Sequence, residues 1–200
     1  MPAFPDDPAC PPPLSKAELR AAILARRAAL APEMRGEAAR AAAAHVAALP
    51  FAPGMLIAGY FPIGDEIDPG PLLAALAGRG HALALPVLID AETIEFRRHV
   101  PGEALVPAGF GTRGPAAGAD VVDPAGLIVP LVGFDVFGNR LGWGKGHYDR
   151  AIARLLARHP VRTVGLAFSA QQVAAVPAEP HDRRLDLILT ERGPLVPEGD

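Results

Sequence analysis

The sequence predicts an α/β fold: a three-layer sandwich around a mostly parallel sheet with one antiparallel hairpin, in a single domain. Short apolar runs of strand length alternate with segments of helical spacing along most of the chain. With 200 residues, 50% of them hydrophobic, the chain is long enough for one sizeable core. It contains neither an internal repeat nor a coiled-coil heptad. Since ligands of such sheets bind beyond the carboxyl ends of the strands, the loops at that edge are the expected site.

The N-terminal part of the chain predicts a leader followed by two helices. Residues 1–14 are acidic and proline-rich, and we expect them to be disordered. Ser15-x-x-Glu18 has the form of a capping box and precedes an apolar stripe at helical spacing, which predicts a helix over 15–30. The alanine-rich span 32–49 predicts a second helix.

The remainder of the chain alternates between strands and helices. Asp68-Pro69 opens a predicted third helix that closes near Gly78, and a polar turn before residues 93–97 predicts the antiparallel hairpin. A fourth helix runs from the glycine-rich segment to about residue 159. The predicted strands are 55–60, 81–88, 93–97, 127–131, 162–168 and 185–190.

Two further segments are expected to lack regular sheet structure. Residues 101–124 are rich in Gly, Pro and Ala without a clear period, and we interpret them as a long crossing loop with room for a brief helix. Residues 193–200 are assigned to a tail. The predicted domain therefore spans 15–192.

Composition and charge narrow the class of protein. A formal net charge of −3 and a pI near 6.1 provide no basic field, so we expect no nucleic-acid partner. Apolar runs stay short of the roughly 20 residues that span a bilayer, which argues against a membrane protein. The single Cys10 cannot form an intramolecular disulfide, and residues 1–13 lack the features of a secretory signal. We expect a cytoplasmic protein that is a monomer.

The most informative segment is a glycine-rich loop within residues 132–150, which read VGFDVFGNRLGWGKGHYDR. The three alternating glycines of the span 142–146 lack β-carbons, so backbone N–H groups can turn toward an anion. A helix N-terminus follows the loop and adds its dipole, while Arg140 and Lys145 supply countercharge. A flexible surface loop would leave these clustered charges unexplained. The pattern is neither a Walker A motif nor a dinucleotide fingerprint, and it predicts a polyphosphate site.

Carboxylates near this loop are candidate ligands for a divalent cation. Mg²⁺ prefers carboxylate oxygens beside phosphates, and Asp149 directly follows the glycines. An acidic residue in the first turn of a helix is equally well explained by the helix dipole. Asp186 is a weaker candidate and competes with Asp182, while Glu66 faces either the cleft or solvent from a polar loop. The other histidines lack the spacing of zinc ligands: His45, His81, His99, His159 and His181.

Motifs along most of the chain match one known pattern. The glycine-rich loop, from Gly138-Asn139-Arg140 to Tyr148-Asp149-Arg150, looks like a family signature, and Lys16-x-x-x-Arg20 looks like an N-terminal nucleotide-binding motif. On these motifs the chain resembles the 5-formyltetrahydrofolate cyclo-ligases, also called 5,10-methenyltetrahydrofolate synthetases. The matching segments are 16–20, 60–68, 129–150, 167–171 and 176–186.

The resemblance implies an ATP- and Mg²⁺-dependent ring closure of 5-formyltetrahydrofolate to 5,10-methenyltetrahydrofolate, with release of ADP and phosphate. It implies Arg140 and Lys145 as catalytic residues, and Asp149 and Asp186 as metal ligands. The implied ATP-binding residues are Lys16, Arg20, Arg140, Leu141, Gly142, Trp143, Gly144, Lys145, Gly146, His147 and Tyr148. The implied substrate-binding residues are Phe61, Glu66, Trp143, Gly144, Lys145, Gly146 and His147.

Three positions depart from the family's pattern. His147 replaces a tyrosine, and a titratable imidazole there predicts pH-dependent folate binding. Trp143 stands where Arg or Tyr is common and offers a face for stacking on the pterin. Gly114 stands where a glutamate is expected before a proline.

Two other functions fit the same residues. One is a module that binds folate or nucleotide without turnover, and the other is a related ATP-dependent enzyme with a different pterin or amide substrate. An enzyme is favoured over a binding module because the charged residues of the family's pattern are all present: Lys16, Arg140, Lys145, Asp149 and Asp186.

Overall fold

A computed structural model describes residues 14–109, 111–179 and 182–198. The predicted leader, apart from Leu14, lies outside the described residues, as do Cys10 and His181. The α-helices are α1 (Lys16–Ala28), α2 (Pro32–Ala44), α3 (Gly70–Gly78) and α4 (His147–Leu156). In the described part of the chain, no helix has both the length and the apolar character needed to cross a membrane.

The strands include short ones at the edges and in the loops. In chain order they are β1 (Ile57–Ala58), β2 (Leu83–Leu88), β3 (Ile94–His99), β4 (Val106–Gly109), β5 (Thr112–Gly114), β6 (Val121–Val122), β7 (Gly126–Pro130), β8 (Gly133–Phe134), β9 (Arg140–Leu141), β10 (Arg162–Leu166), β11 (Leu187–Thr190) and β12 (Gly193–Leu195).

An eight-stranded sheet organises the protein, in the order β12-β11-β10-β7-β1-β2-β3-β6. Its central strands β11, β10, β7, β1 and β2 are parallel, whereas β12, β3 and β6 pair antiparallel. The β2–β3 pair is the predicted hairpin, with Leu83 opposite His99 and Leu88 opposite Ile94. The mostly parallel sheet and its antiparallel hairpin are therefore confirmed.

Helices cover both faces of this sheet and bury two apolar cores. On one face, α2 and α3 pack through side chains such as Ala42 and Leu76 against Ile128 of β7. On the other face, α4 packs through Ile152 and Leu155, among others, against the alternate positions of the same strand. Because successive side chains of a strand point to opposite faces, the continuous apolar run of β7 serves both cores.

The first helix lies beside the sheet and joins the glycine-rich loop. Its predicted capping box is present: Ser15 Oγ accepts from the backbone N–H of Glu18, and the Glu18 carboxylate accepts from the backbone N–H of Ser15. Leu19 and Ile23 pack in a third cluster with Val132 and other side chains of the loop region. This packing fixes the start of α1 next to the loop.

Three structural expectations need correction. The crossing loop contains β-structure instead of a brief helix, because β4 and β5 form a hairpin and β6 joins β3. The second helix ends at Ala44 and is followed by a 3-10 turn at Val46–Ala48. Finally, β12 lies in the segment assigned to the tail, where it pairs with β11 and completes that edge of the sheet.

Candidate active site

A cleft of about 590 Å³ opens beyond the carboxyl ends of β1, β2 and β7. Its volume is in the range of sites that bind organic ligands. The cleft is bounded by the start of α1, the loop after β1, the β4–β5 hairpin, the glycine-rich loop and the segment before β11. Every sequence-predicted site residue except Asp186 lines this cleft.

The glycine-rich loop is built on the small β8–β9 hairpin. The N–H of Val132 donates to the carbonyl of Leu141 over 2.7 Å, which closes the base of the hairpin. Gly144 and Gly146 have φ values of +86° and +67°, a region that favours glycine, and Gly146 is the N-cap of α4. The predicted placement of the loop before a helix N-terminus is confirmed, with this hairpin inserted between strand and helix.

Asp135 organises the turn of that hairpin from a fully buried position. Its Oδ1 accepts from the backbone N–H groups of Phe137 and Asn139, both over 3.0 Å. Its Oδ2 accepts from the side-chain amide of Asn139 and from the N–H of Val176, both over 2.9 Å. The carboxylate therefore connects the glycine-rich loop to the segment leading to β11. Sequence reasoning assigned Asp135 no role.

The start of α1 brings two basic side chains to the loop. Arg20 Nε donates to the carbonyl of Gly142 over 2.9 Å. The ammonium of Lys16 pairs with Glu179 at 2.8 Å and with Asp182 at 3.1 Å. The hydrogen bond to Glu179 is the largest of several effects that raise the pKa of Lys16, so the ammonium stays charged. Both residues of the predicted N-terminal motif thus reach the cleft.

Arg140 is paired with one carboxylate and is influenced by the charge of a second. Its guanidinium pairs with Asp149 and donates to the carbonyl of Arg183 over 2.7 Å. Burial lowers the pKa of Arg140, and the charges of Asp149 and Asp182 act in the opposite direction. The Arg140 side chain is only 7% exposed, whereas that of Asp149 is 40% exposed. An anion entering the cleft would therefore meet an arginine held in place by its neighbours.

The structure does not bring Asp186 into the cleft. Its Oδ2 accepts from the N–H and the hydroxyl of Thr163 over 2.7 and 2.8 Å, and its Oδ1 pairs with Arg162. These contacts tie the amino ends of β10 and β11 together, at the edge opposite to the site. Asp182, the competing candidate, lines the cleft instead. Asp186 lies away from the cleft because a residue that begins a parallel strand is at the amino edge of the sheet.

Glu66 and Trp143 both line the cleft and are joined by a hydrogen bond. The indole Nε1 of Trp143 donates to Oε1 of Glu66 over 2.8 Å, and Oε2 accepts from the N–H of Ile63 over 2.9 Å. Burial raises the pKa of Glu66, although these two hydrogen bonds and Arg27 oppose the shift. Phe61 lines the cleft beside them. A planar ligand would find an aromatic face next to a carboxylate.

Two side chains at the start of α4 differ in their surroundings. The Tyr148 hydroxyl is buried without a hydrogen-bond partner, and burial, then the charge of Glu66, raises its pKa. His147 Nε2 lies 2.9 Å from the carbonyl oxygen of Ala91, so this nitrogen carries the proton. His147 thereby holds the β2–β3 turn against α4.

Two further segments support the cleft. Gln171 is buried and donates to the carbonyls of Leu131 and Val132, each over 2.9 Å, so its segment braces the strand behind the loop. A β-carbon at Gly114 would lie only 3.1 to 3.2 Å from Val87, Ala108 and a strand carbonyl. A side chain at this position would therefore require its neighbours on β2 and β4 to shift by a few tenths of an ångström.

Comparison with known proteins agrees with this geometry. The model of the 5-formyltetrahydrofolate cyclo-ligase family matches residues 13–191. The chain belongs to this family. It is 32% identical over 193 residues to the 5-formyltetrahydrofolate cyclo-ligase of Mycolicibacterium smegmatis, covering 92% of this chain and 97% of that protein.

Solved structures of this family share the fold. The NMR structure of Aquifex aeolicus 5,10-methenyltetrahydrofolate synthetase has a TM-score of 0.76 and 32% identity, covering 92% of this chain and 94% of the other. The 5,10-methenyltetrahydrofolate synthetase from Mycoplasma pneumoniae has a TM-score of 0.71 and 27% identity, covering 89% and 99%. The cyclo-ligase family and its α/β fold therefore account for nearly the whole chain.

Proposed function

We propose that this member of the cyclo-ligase family converts 5-formyltetrahydrofolate and ATP into 5,10-methenyltetrahydrofolate, ADP and phosphate. One observation carries the proposal. One cleft is lined by both the Glu66–Trp143 pair and a group of cationic residues: Lys16, Arg20, Arg140 and Lys145. A polyanion and a planar heterocycle can therefore lie side by side in one cleft.

The cationic residues of the cleft suit the phosphates of ATP. Arg20 and Arg140 are fixed by backbone carbonyls, and Gly144 and Gly146 leave the loop backbone open to close approach. The N-terminus of α4 adds the backbone N–H groups of its first turn and the positive end of its dipole. Phosphoryl transfer asks for this kind of positioning and charge neutralisation without a protein nucleophile.

The Glu66–Trp143 pair suits a reduced pterin. Trp143 offers a ring face, and the Glu66 carboxylate can accept hydrogen bonds from ring N–H groups. In the proposed reaction, the N5-formyl oxygen takes the γ-phosphoryl group and ADP leaves. The N10 nitrogen then attacks the activated formyl carbon, loses its proton, and phosphate departs. Lys145 and Arg140 neutralise charge that develops on the transferred group.

Two carboxylates near Arg140 are suitable ligands for Mg²⁺. Within the described residues, no cluster of three or more His, Cys, Asp or Glu side chains forms a ready metal site. Mg²⁺ beside nucleotide phosphates needs only one or two protein carboxylates, and Asp149 and Asp182 both act on Arg140 from the cleft wall. We propose these two as its ligands. When bound, the ion would neutralise negative charge on the phosphates.

The experiment that tests this function follows the absorbance of the methenyl product. Purified protein is mixed with 5-formyltetrahydrofolate, and ATP and Mg²⁺ are each left out in turn. The proposal expects product only when both are present, with one ADP formed per product. Folate binding without any absorbance growth would favour a binding module, and ATP hydrolysis with another folate or amide would favour a changed substrate.

Three expectations about cellular context stay predictions. The net charge of −3 supports the expectation that small molecules, and not nucleic acids, are its partners. A cytoplasmic location would supply both substrates, and a monomer stays the expected state.

A further inference from the structure

Arg27 is a buried charge that the proposed chemistry does not use. The residue is 1% exposed, although arginine is rarely buried to this extent. Its Nε and Nη2 both contact Oδ1 of Asp65, at 2.8 and 2.5 Å, while its Nη1 is buried without a hydrogen-bond partner. Burying a guanidinium with an unpaired nitrogen is unfavourable, and an apolar side chain would fill the same space at lower cost. The position therefore calls for a function beyond packing.

The guanidinium of Arg27 lies against the aromatic ring of Trp143. Its central carbon is 5.4 Å from the ring centroid, within the range of a cation–π interaction. Trp143 also lines the cleft, and its indole N–H is bonded to Glu66. Arg27 of α1 thus covers one face of Trp143, although this tryptophan is 44% exposed.

Arg27 also acts on the loop that carries the carboxylate partner of Trp143. Asp65, to which it is paired, is adjacent to Glu66 in the chain, and the charge of Arg27 lowers the pKa of Glu66 against the effect of burial. One guanidinium therefore contacts Trp143 and the residue that precedes Glu66. Arg20, two helical turns earlier on the same side of α1, holds the carbonyl of Gly142 next to Trp143.

We propose that Arg27 is a positioning residue that sets the location of Trp143 and of the Glu66 loop, and so the affinity for the folate substrate. It touches neither substrate in this account. The affinity part rests on the proposed function, whereas the positioning of Trp143 does not.

The test compares Arg27→Met with Arg26→Met, its exposed neighbour on the same helix. A third variant, Arg27→Met with Asp65→Asn, avoids leaving an unpaired carboxylate if the single variant folds poorly. Trp143 is the chain's only tryptophan, so its emission and its quenching by acrylamide report on this position alone. We expect red-shifted emission and stronger quenching in both Arg27 variants, and wild-type behaviour in Arg26→Met.

Kinetics provide the second readout. We expect the KM for 5-formyltetrahydrofolate to rise roughly tenfold in the Arg27 variants, with the KM for ATP changed less than about threefold. Unchanged Trp143 emission, or KM values that rise equally for both substrates, would overturn the proposal and leave Arg27 a purely structural ion pair. If the wild-type protein does not turn over folate, the proposed function fails, and the emission of the substrate-free protein still decides whether Arg27 positions Trp143.

Discussion

Lys145 is one of only two lysines among the chain's 19 basic residues, and it lies in the middle of the glycine-rich loop. An exposed ammonium at this point can follow a phosphoryl group as charge develops on it. We predict that Lys145→Ala lowers kcat by about 10²- to 10³-fold, as loss of a charge-stabilising donor does elsewhere. Because the side chain is exposed, the free energy of unfolding should change by less than about 0.5 kcal/mol.

Steady-state kinetics and thermal unfolding of the same preparation check this prediction. The exposed Arg26 serves as the control, because Arg26→Ala removes a positive charge outside the cleft and should leave kcat unchanged. Turnover of Lys145→Ala at the wild-type rate would contradict the assigned role.

The three aspartates considered as metal ligands can be told apart by titration. We predict that Asp149→Asn and Asp182→Asn raise the Mg²⁺ concentration for half-maximal activity by at least about tenfold, a loss that even an outer-shell partner of a metal site can cause. Asp186→Asn should leave this concentration unchanged but destabilise the fold by about 1 to 3 kcal/mol, because it weakens the bonds to Thr163. An altered Mg²⁺ requirement in Asp186→Asn would contradict the corrected assignment.

The fluorescence emission of Trp143 should depend on pH because its indole N–H donates to Glu66. Burial raises the pKa of this carboxyl above its ordinary value of 4.5, so it takes up a proton at a higher pH than an exposed glutamate does. Protonation removes the charge that accepts the indole hydrogen bond. We predict an emission change with a midpoint above 4.5 that is absent in Glu66→Gln. A midpoint at or below 4.5 in the wild-type protein would contradict the burial argument.

Single residues also mark the limit of sequence reasoning at this site. The loop cations were predictable because glycines and charges alternate within one short segment. Asp182 and Asp186 could not be ranked from spacing, since their separation depends on where β11 begins. Arg27 gave no signal either, because its partners Asp65 and Trp143 are distant in the chain and come together only when α1 packs on the loop.

At the scale of elements, the docking of α1 on β8 depends on a glycine. A β-carbon at Gly133 would lie 2.4 Å from Cδ1 of the fully buried Ile23. We predict that Gly133→Ala destabilises the protein by about 1 to 3 kcal/mol through overpacking. Adding Ile23→Val, which removes the Cδ1 atom, should recover part of this loss. Chemical denaturation of the two variants measures both effects.

A matched substitution in α2 separates overpacking from a general effect of glycine replacement. Gly36 lies in that helix, and a β-carbon there would make only an ordinary contact, 3.6 Å from Arg40. Gly36→Ala should therefore stabilise the protein by about 0.5 to 1 kcal/mol. Equal destabilisation of Gly36→Ala and Gly133→Ala, or no recovery by Ile23→Val, would contradict the proposed contact.

The elements that sequence reasoning missed are those without a clear pattern. Strand β4 exposes three of its four residues, including Val106, and contains a register irregularity between Pro107 and Gly109. Alternation of polar and apolar residues is therefore absent, and the Gly and Pro content favoured a loop. By contrast, α1 was predicted closely because a capping box and an apolar stripe agree.

At the scale of the whole molecule, the order of elements carried the prediction of the fold. Strands joined through helices favour a parallel sheet covered on both faces, and the polar turn before β3 indicated the hairpin. The carboxyl-edge rule then brought the loop after β1 and the glycine-rich loop to one cleft, as observed. Asp186 lies at the opposite edge because it precedes β11, and Gln171 supports the cleft from behind.

In the proposed reaction, the γ-phosphoryl group of ATP is transferred within this cleft to the formyl oxygen of the folate. The most direct measurement uses 5-formyltetrahydrofolate labelled with ¹⁸O in the formyl group and analyses the released phosphate by mass spectrometry. Since the phosphorylated oxygen leaves with the phosphate, we expect one labelled oxygen in each phosphate formed. Unlabelled phosphate, with the label appearing in water, would contradict it.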